Sequence, residues 1–101
     1  MKISEVEWDK VNRKHVRERG RCSELEIEDV LLSRCYRSRF NSQPSADERA
    51  QRIAIGQACS TKFLAVPFDI PREGVARPRT CIWPGDTAVI KYLAWRQTVK
   101  Q

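Results

Sequence analysis

The sequence predicts a small α+β domain, with two N-terminal helices, an antiparallel sheet of about four strands and a C-terminal helix. Three observations predict it. Asp9 and Ser23 are cap-type residues that each precede a stretch of helical spacing, and three runs between residues 50 and 83 alternate in the manner of strands. Pro84-Gly85-Asp86-Thr87 then stops the last of these runs ahead of a final helical stretch. A chain of 101 residues is expected to form one domain with a single modest core, since at this size roughly two thirds of the unfolded surface is buried.

The opening Lys2 to Trp8 alternates and suggests a short strand. Asp9 as N-cap and Gly20 as a left-handed C-terminal residue bound a helix over Lys10 to Arg19. At 100° per residue, Lys10, Arg13, Lys14 and Arg17 share one arc, while Val11, Asn12, His15, Val16 and Arg19 fall opposite, so one face is basic and the other is mixed and expected to point inward. Ser23-Glu24-Leu25-Glu26 matches a capping box and starts a second helix. Its acidic first turn suits the helix dipole, and Ile27, Val30 and Leu31 carry its apolar stripe to about Ser33.

Cys35 to Phe40 alternates as a strand, and the following Asn41 to Glu48 reads as a polar connecting loop, the segment expected to move most. Strands are then expected over Ala50–Ala58, Lys62–Ile70 and Val75–Trp83, as an antiparallel meander. Pro67 and Pro78 donate no ladder hydrogen bond, so each calls for an edge, a bulge or a shortened strand. Asp86 or Thr87 is the expected cap of the closing helix, Ala88 to Val99.

Charge narrows the function. Lys and Arg total 19 against 13 Asp and Glu, a net +6, and such an excess on a compact domain attracts nucleic acid or an acidic protein partner. No apolar stretch approaches the roughly 20 residues of a membrane helix, and the N-terminus has no signal-peptide pattern, so a soluble cytoplasmic protein is expected. Cys22, Cys35, Cys59 and Cys81 form no C-x-x-C pair. They are expected to be reduced core residues, without a disulfide framework, metal or cofactor.

Glu7-Trp8-Asp9-x-x-Asn12-x-x-His15-Val16-x-x-Arg19-Gly20, followed by an acidic capped helix ending Asp29-Val30-Leu31, resembles the BrnT toxins of type II toxin–antitoxin pairs. The likeness continues through a basic strand, the segment Arg52-Ile53-Ala54-Ile55-Gly56, a hydrophobic strand over Phe63 to Phe68, one more strand and a last helix, and so covers nearly the whole chain. It implies a RelE-like ribonuclease fold, an attack on RNA and neutralisation by a cognate DNA-binding antitoxin of the ribbon-helix-helix type. The chain departs from the family where the last strand ordinarily ends in arginine and the last helix carries a glutamate. Pro84 and Ile90 stand there. Cleavage through the 2′-hydroxyl needs a proton acceptor, a cation beside the phosphorane and a proton donor, so both departures fall on the chemistry.

The residues that remain to carry such chemistry are His15, Arg52, Arg77 and Arg79. His15 is the only histidine, the side-chain type that exchanges protons near neutral pH. Its helical position beside Asn12 favours, by contrast, a buried histidine bridging helix and sheet, and the same fate is expected for Asn12. Arg52 matches the family's position, and Arg77 and Arg79 share a strand face; the alternative for all three is pairing with nearby carboxylates. Lys10, Arg13, Lys14 and Arg17, with Arg37 and Arg39, form a candidate surface for RNA or an antitoxin, against the ordinary reading of a solvated charged face. Tyr36, flanked by arginines, is the aromatic best placed to stack on a base, whereas the tryptophans are expected mainly in the core. Two functions follow: a toxin-like RNA-binding protein with an altered ribonuclease centre, or a non-catalytic basic domain that binds nucleic acid or an acidic protein.

Overall fold

The computed structural model describes residues 3–33, 35–39 and 52–100, so the expected polar loop at 41–48 lies outside the described residues. The elements follow the order β1 (Glu5–Val6), α1 (Lys10–Arg19), α2 (Glu24–Leu32), β2 (Tyr36–Arg39), β3 (Arg52–Gln57), β4 (Phe63–Arg72), β5 (Val75–Pro78) and α3 (Asp86–Lys100). Two helices ahead of a meander and one after it is the expected α+β order.

Both N-terminal helices begin as their sequences require. The Asp9 carboxylate accepts from the amides of Val11 (2.8 Å) and Asn12 (3.0 Å), and Asn12 Oδ1 accepts from the amide of Asp9 at 2.7 Å. Gly20, at φ 59°, closes the helix in the left-handed region and donates its N–H to the Val16 carbonyl. The Ser23–Glu26 box opens α2 in the same reciprocal way, at 3.2 and 2.9 Å.

The sheet runs β1-β5-β4-β3-β2. All pairings but one are antiparallel; β1 lies parallel to β5, with Glu5 beside Val75, so the sheet is mixed and has a fifth, two-residue edge strand. Alternation divides its faces. Ala54, Leu64, Val66, Phe68 and Ala76 meet Val16, Ile27, Val30 and Leu31 of the first two helices. Ile55, Ala65 and their partly buried neighbours Ile53 and Phe63 meet Tyr92, Leu93 and Trp95 of α3. Gly56 lets α2 seat closely on β3, because a Cβ there would stand 3.2 Å from Val30 Cγ1 and 3.4 Å from Cys35 Cβ.

The prolines end β5 early. Arg79 donates its amide to the Pro67 carbonyl at 2.9 Å, but Pro67 has no N–H to return, and the regular strand stops at Pro78 rather than Trp83. The chain rejoins β4 for one bridge, Ala65 with Ile82, in which each amide donates to the other's carbonyl at 2.9 Å. The closing helix begins at Asp86, so Gly85, not Asp86 or Thr87, holds the cap position, and its carbonyl accepts from Val89.

The cysteines depart from expectation. Cys22, between the first two helices, is joined in a disulfide to Cys81, beyond the end of β5. Pairing across 59 residues leaves no local spacing signature, which is why the sequence reads as a reduced chain. Cys35 is a buried thiol outside the disulfide, whereas Cys59 is exposed and donates to Asp29. That contact pushes the Cys59 thiol up in pKa and holds the Asp29 carboxyl down. Among the described residues no helix is long and apolar enough to cross a membrane, and no group of three or more potential ligands forms a metal site.

Candidate functional site

Asn12 organises the edge of the sheet. It is 1% exposed, and its Nδ2 donates to the carbonyls of Glu7 and Pro78, both at 3.0 Å. The asparagine thus ties β1, α1 and the end of β5 together, the buried bridging role expected of it. Trp8 Nε1 donates to Glu28 at 2.7 Å and couples the same corner to α2. Glu7, Trp8, Asp9 and Asn12 are therefore parts of one structural joint.

His15 does not share that burial. Nearly one turn along α1 from Asn12, it is exposed, since only Asn12 and Val16 of the helix are buried. It lines a groove of about 400 Å³ together with Val11, Asn12, Arg19, Asp69, Arg77, Arg79 and Thr80. Its three guanidinium groups outnumber the two carboxylates that meet them, Asp69 in its lining and Asp9 on Arg77, so the groove carries a positive excess. Thr80 Oγ1 is the one buried side-chain polar atom among the described residues that lacks a hydrogen-bond partner. A buried hydroxyl of this kind is costly without a partner and is a ready donor to an anionic oxygen.

Arg77 and Arg79 are held by carboxylates. Arg77 places both Nε (3.0 Å) and Nη2 (2.7 Å) on Asp9 Oδ2, and Arg79 Nε meets Asp69 Oδ2 at 2.9 Å. The Asn12 amide first, and then the Arg77 guanidinium, lower the pKa of the Asp9 carboxyl. These contacts orient the arginines and offset part of their charge. No carboxylate among the described residues lies within ion-pair distance of Arg19 or His15.

Arg52 stands apart from this group. It pairs with Phe68, and Phe68 and its other neighbour Pro78 are buried toward the first two helices, so Arg52 leaves the sheet on that side. Arg77 and Arg79 flank Pro78 and alternate to the other side, Arg77 reaching Asp9 at the start of α1 and Arg79 reaching Asp69 on β4. The basic arc of α1 is exposed throughout, yet Arg13 pairs with Glu24 at 3.1 Å and Lys14 with Glu18 at 3.9 Å, leaving Lys10 and Arg17 outside ion pairs among the described residues. Tyr36, Arg37 and Arg39 lie on β2, with Arg39 at the register position opposite Arg52, and their side chains lie outside the described residues.

Pro84 and Ile90 line neither the groove nor its margins; Pro84 lies in the turn before α3, and Ile90 is exposed on α3. Arg19, Asp69 and Thr80 are groove residues that sequence reasoning misses. Arg19 alone carried a signal, four residues after His15 on the same helical arc. Thr80 and Asp69 need the register of β4 and β5 to be known. Chemically, the groove offers fixed cations, a hydroxyl donor and one imidazole, a set able to bind a phosphodiester and to move one proton. Compared with known protein families, curated proteins and solved structures, the chain matches none of them.

Proposed function

We propose that the chain is a small basic RNA-binding protein whose His15 groove receives a phosphodiester of single-stranded RNA. The observation that carries this reading is the convergence of His15, Arg19, Arg77, Arg79 and the unpartnered Thr80 hydroxyl on one groove. We further place it as a divergent BrnT-type toxin of a toxin–antitoxin pair, with a ribbon-helix-helix antitoxin as partner. Two helices before the sheet and one after it is the order that this resemblance implies. In this reading Arg77 and Arg79 hold the phosphate, Arg19 draws in the strand, and His15 is the general base or acid.

Substitutions at Arg19 and His15 suit the test, because both are exposed and outside ion pairs among the described residues. Wild-type protein retards a single-stranded RNA with an affinity that falls steeply with salt, and Arg19→Ala lowers the slope by about one phosphate contact. His15→Ala retains binding and loses cleavage, and expression of the wild type without a partner arrests growth. Unchanged growth, together with no RNA retardation even at low salt, rejects the reading.

A second reading has its own observation. With Pro84 and Ile90 in the family's chemical positions and Arg77 and Arg79 engaged by Asp9 and Asp69, the groove fits a domain that binds without cutting. Salt-sensitive binding with intact RNA, unaffected by His15→Ala, distinguishes it.

A further inference from the structure

A second cleft lies beside the His15 groove. It has a volume of about 390 Å³ and is lined by Arg21, Lys62, Phe63, Ile82 and Trp83, with Leu64 and Cys81 at its floor. The two are neighbours along the chain on both walls. Arg19 and Thr80 line the first, Arg21 and Cys81 line the second, and the Cys22–Cys81 disulfide fastens these two segments between them. Trp83 breaks the rule that large aromatics in a small domain go to the core, for it remains 56% exposed. The early end of β5 accounts for this: once Ile82 has bridged to Ala65, the next residue is free of the ladder and stands over the cleft.

We propose that the cleft at Trp83 is a nucleobase-stacking subsite for single-stranded RNA, taking the base next to a phosphate held in the His15 groove. It rests on the RNA-binding reading above. An exposed indole with apolar neighbours offers the flat face on which unpaired bases stack, and it accepts any base because every base has a π face. Charge complementarity favours a nucleic acid over an apolar ligand. Arg21 has no carboxylate within ion-pair distance among the described residues, and Lys62, held by Glu26 at 3.4 Å and by the Arg21 carbonyl at 3.3 Å, adds a second cation at the rim. Phosphates beside a stacked base thus have Arg19 and Arg79 in the neighbouring groove and Arg21 in the cleft itself.

The test compares binding of a single-stranded RNA heptamer of mixed sequence with binding of an abasic oligoribonucleotide of the same length, at one salt concentration. Trp83→Ala is expected to weaken the heptamer by about 5- to 150-fold, the usual range for loss of one stacked base, and Trp83→Phe to restore most of it. The abasic strand is expected to be indifferent to Trp83→Ala but sensitive to Arg19→Ala. If Arg19→Ala weakens the heptamer while Trp83→Ala leaves it unchanged, the subsite is overturned and the RNA reading stands. If wild-type protein binds neither strand, both fall. A shift from dimer to monomer in sedimentation on Trp83→Ala assigns the cleft to a second copy of the chain and overturns the proposal.

Discussion

Replacing Asn12 by alanine removes three hydrogen bonds from one corner of the domain. The Pro78 carbonyl loses its Asn12 donor in a fully buried setting, while the Glu7 carbonyl and the Asp9 amide lose theirs where burial is partial. A buried polar group left without a partner costs about 1–3 kcal/mol, and partly buried groups that water can reach cost nearer the lower end. Together with a small cavity in place of a side chain that is 1% exposed, the loss amounts to about 3–5 kcal/mol. For a domain of this size that lowers Tm by roughly 10–30 °C. Asn12→Asp is expected to be worse still at neutral pH, because a carboxylate would face two carbonyl oxygens that now receive N–H groups. Urea unfolding followed by circular dichroism measures all three proteins. If Asn12→Ala lies within about 0.5 kcal/mol of wild type, or Asn12→Asp is the more stable variant, then Asn12 does not hold the corner together.

Other outcomes follow from the same structure. In denaturant without reductant, thiol titration is expected to find two reactive thiols, those of Cys35 and Cys59 outside the disulfide, and the Cys22→Ala/Cys81→Ala double variant loses up to about 4 kcal/mol, the closure term for a loop of about 60 residues; four reactive thiols would show that the bridge does not form. Glu26 is held down at about 2 from 4.5, first by the Ser60 hydroxyl at 2.5 Å and then by the Ser23 amide and Lys62. A lowered folded-state pKa contributes stability above the unfolded value that is lost as pH falls, so the advantage of wild type over Glu26→Gln should shrink between pH 4.5 and about 2. A difference that stays constant across that window refutes it. Gly56→Ala places a methyl 3.2 Å from Val30 Cγ1 and is expected to destabilise by about 1–3 kcal/mol, read as a lower urea midpoint.

What was legible in the sequence was mostly local. The Asp9 and Ser23 caps confine their chemistry to four residues, and both helices start where those residues require. The strand cores were legible through alternation. His15 shows where such reasoning stops: a helical wheel groups it with Asn12 and Val16, but it cannot show that β5 ends short or that only Asn12 and Val16 of that face are buried. The same early end releases Trp83 from an expected strand. Arg52, Arg77 and Arg79 look alike in sequence, and only the pairing of β3 with β4 and of β4 with β5 separates them. The Cys22–Cys81 bridge depends on the α1–α2 connection passing the end of β5, a tertiary fact with no local trace.

The parallel pairing of β1 with β5 bears on how the molecule is assembled. Glu5 and Val6 are made well ahead of their partners Val75 and Ala76, which follow about 70 positions later. During synthesis both helices emerge with their caps complete, while the strand edge against which β1 and Asn12 fasten does not yet exist. The β5 edge, carried by the β3–β4–β5 meander, has to be present before β1 can pair with it. The corner that Asn12 secures therefore cannot close before β5 is in place, and until it closes the edge of β5 is open to any other strand that reaches it.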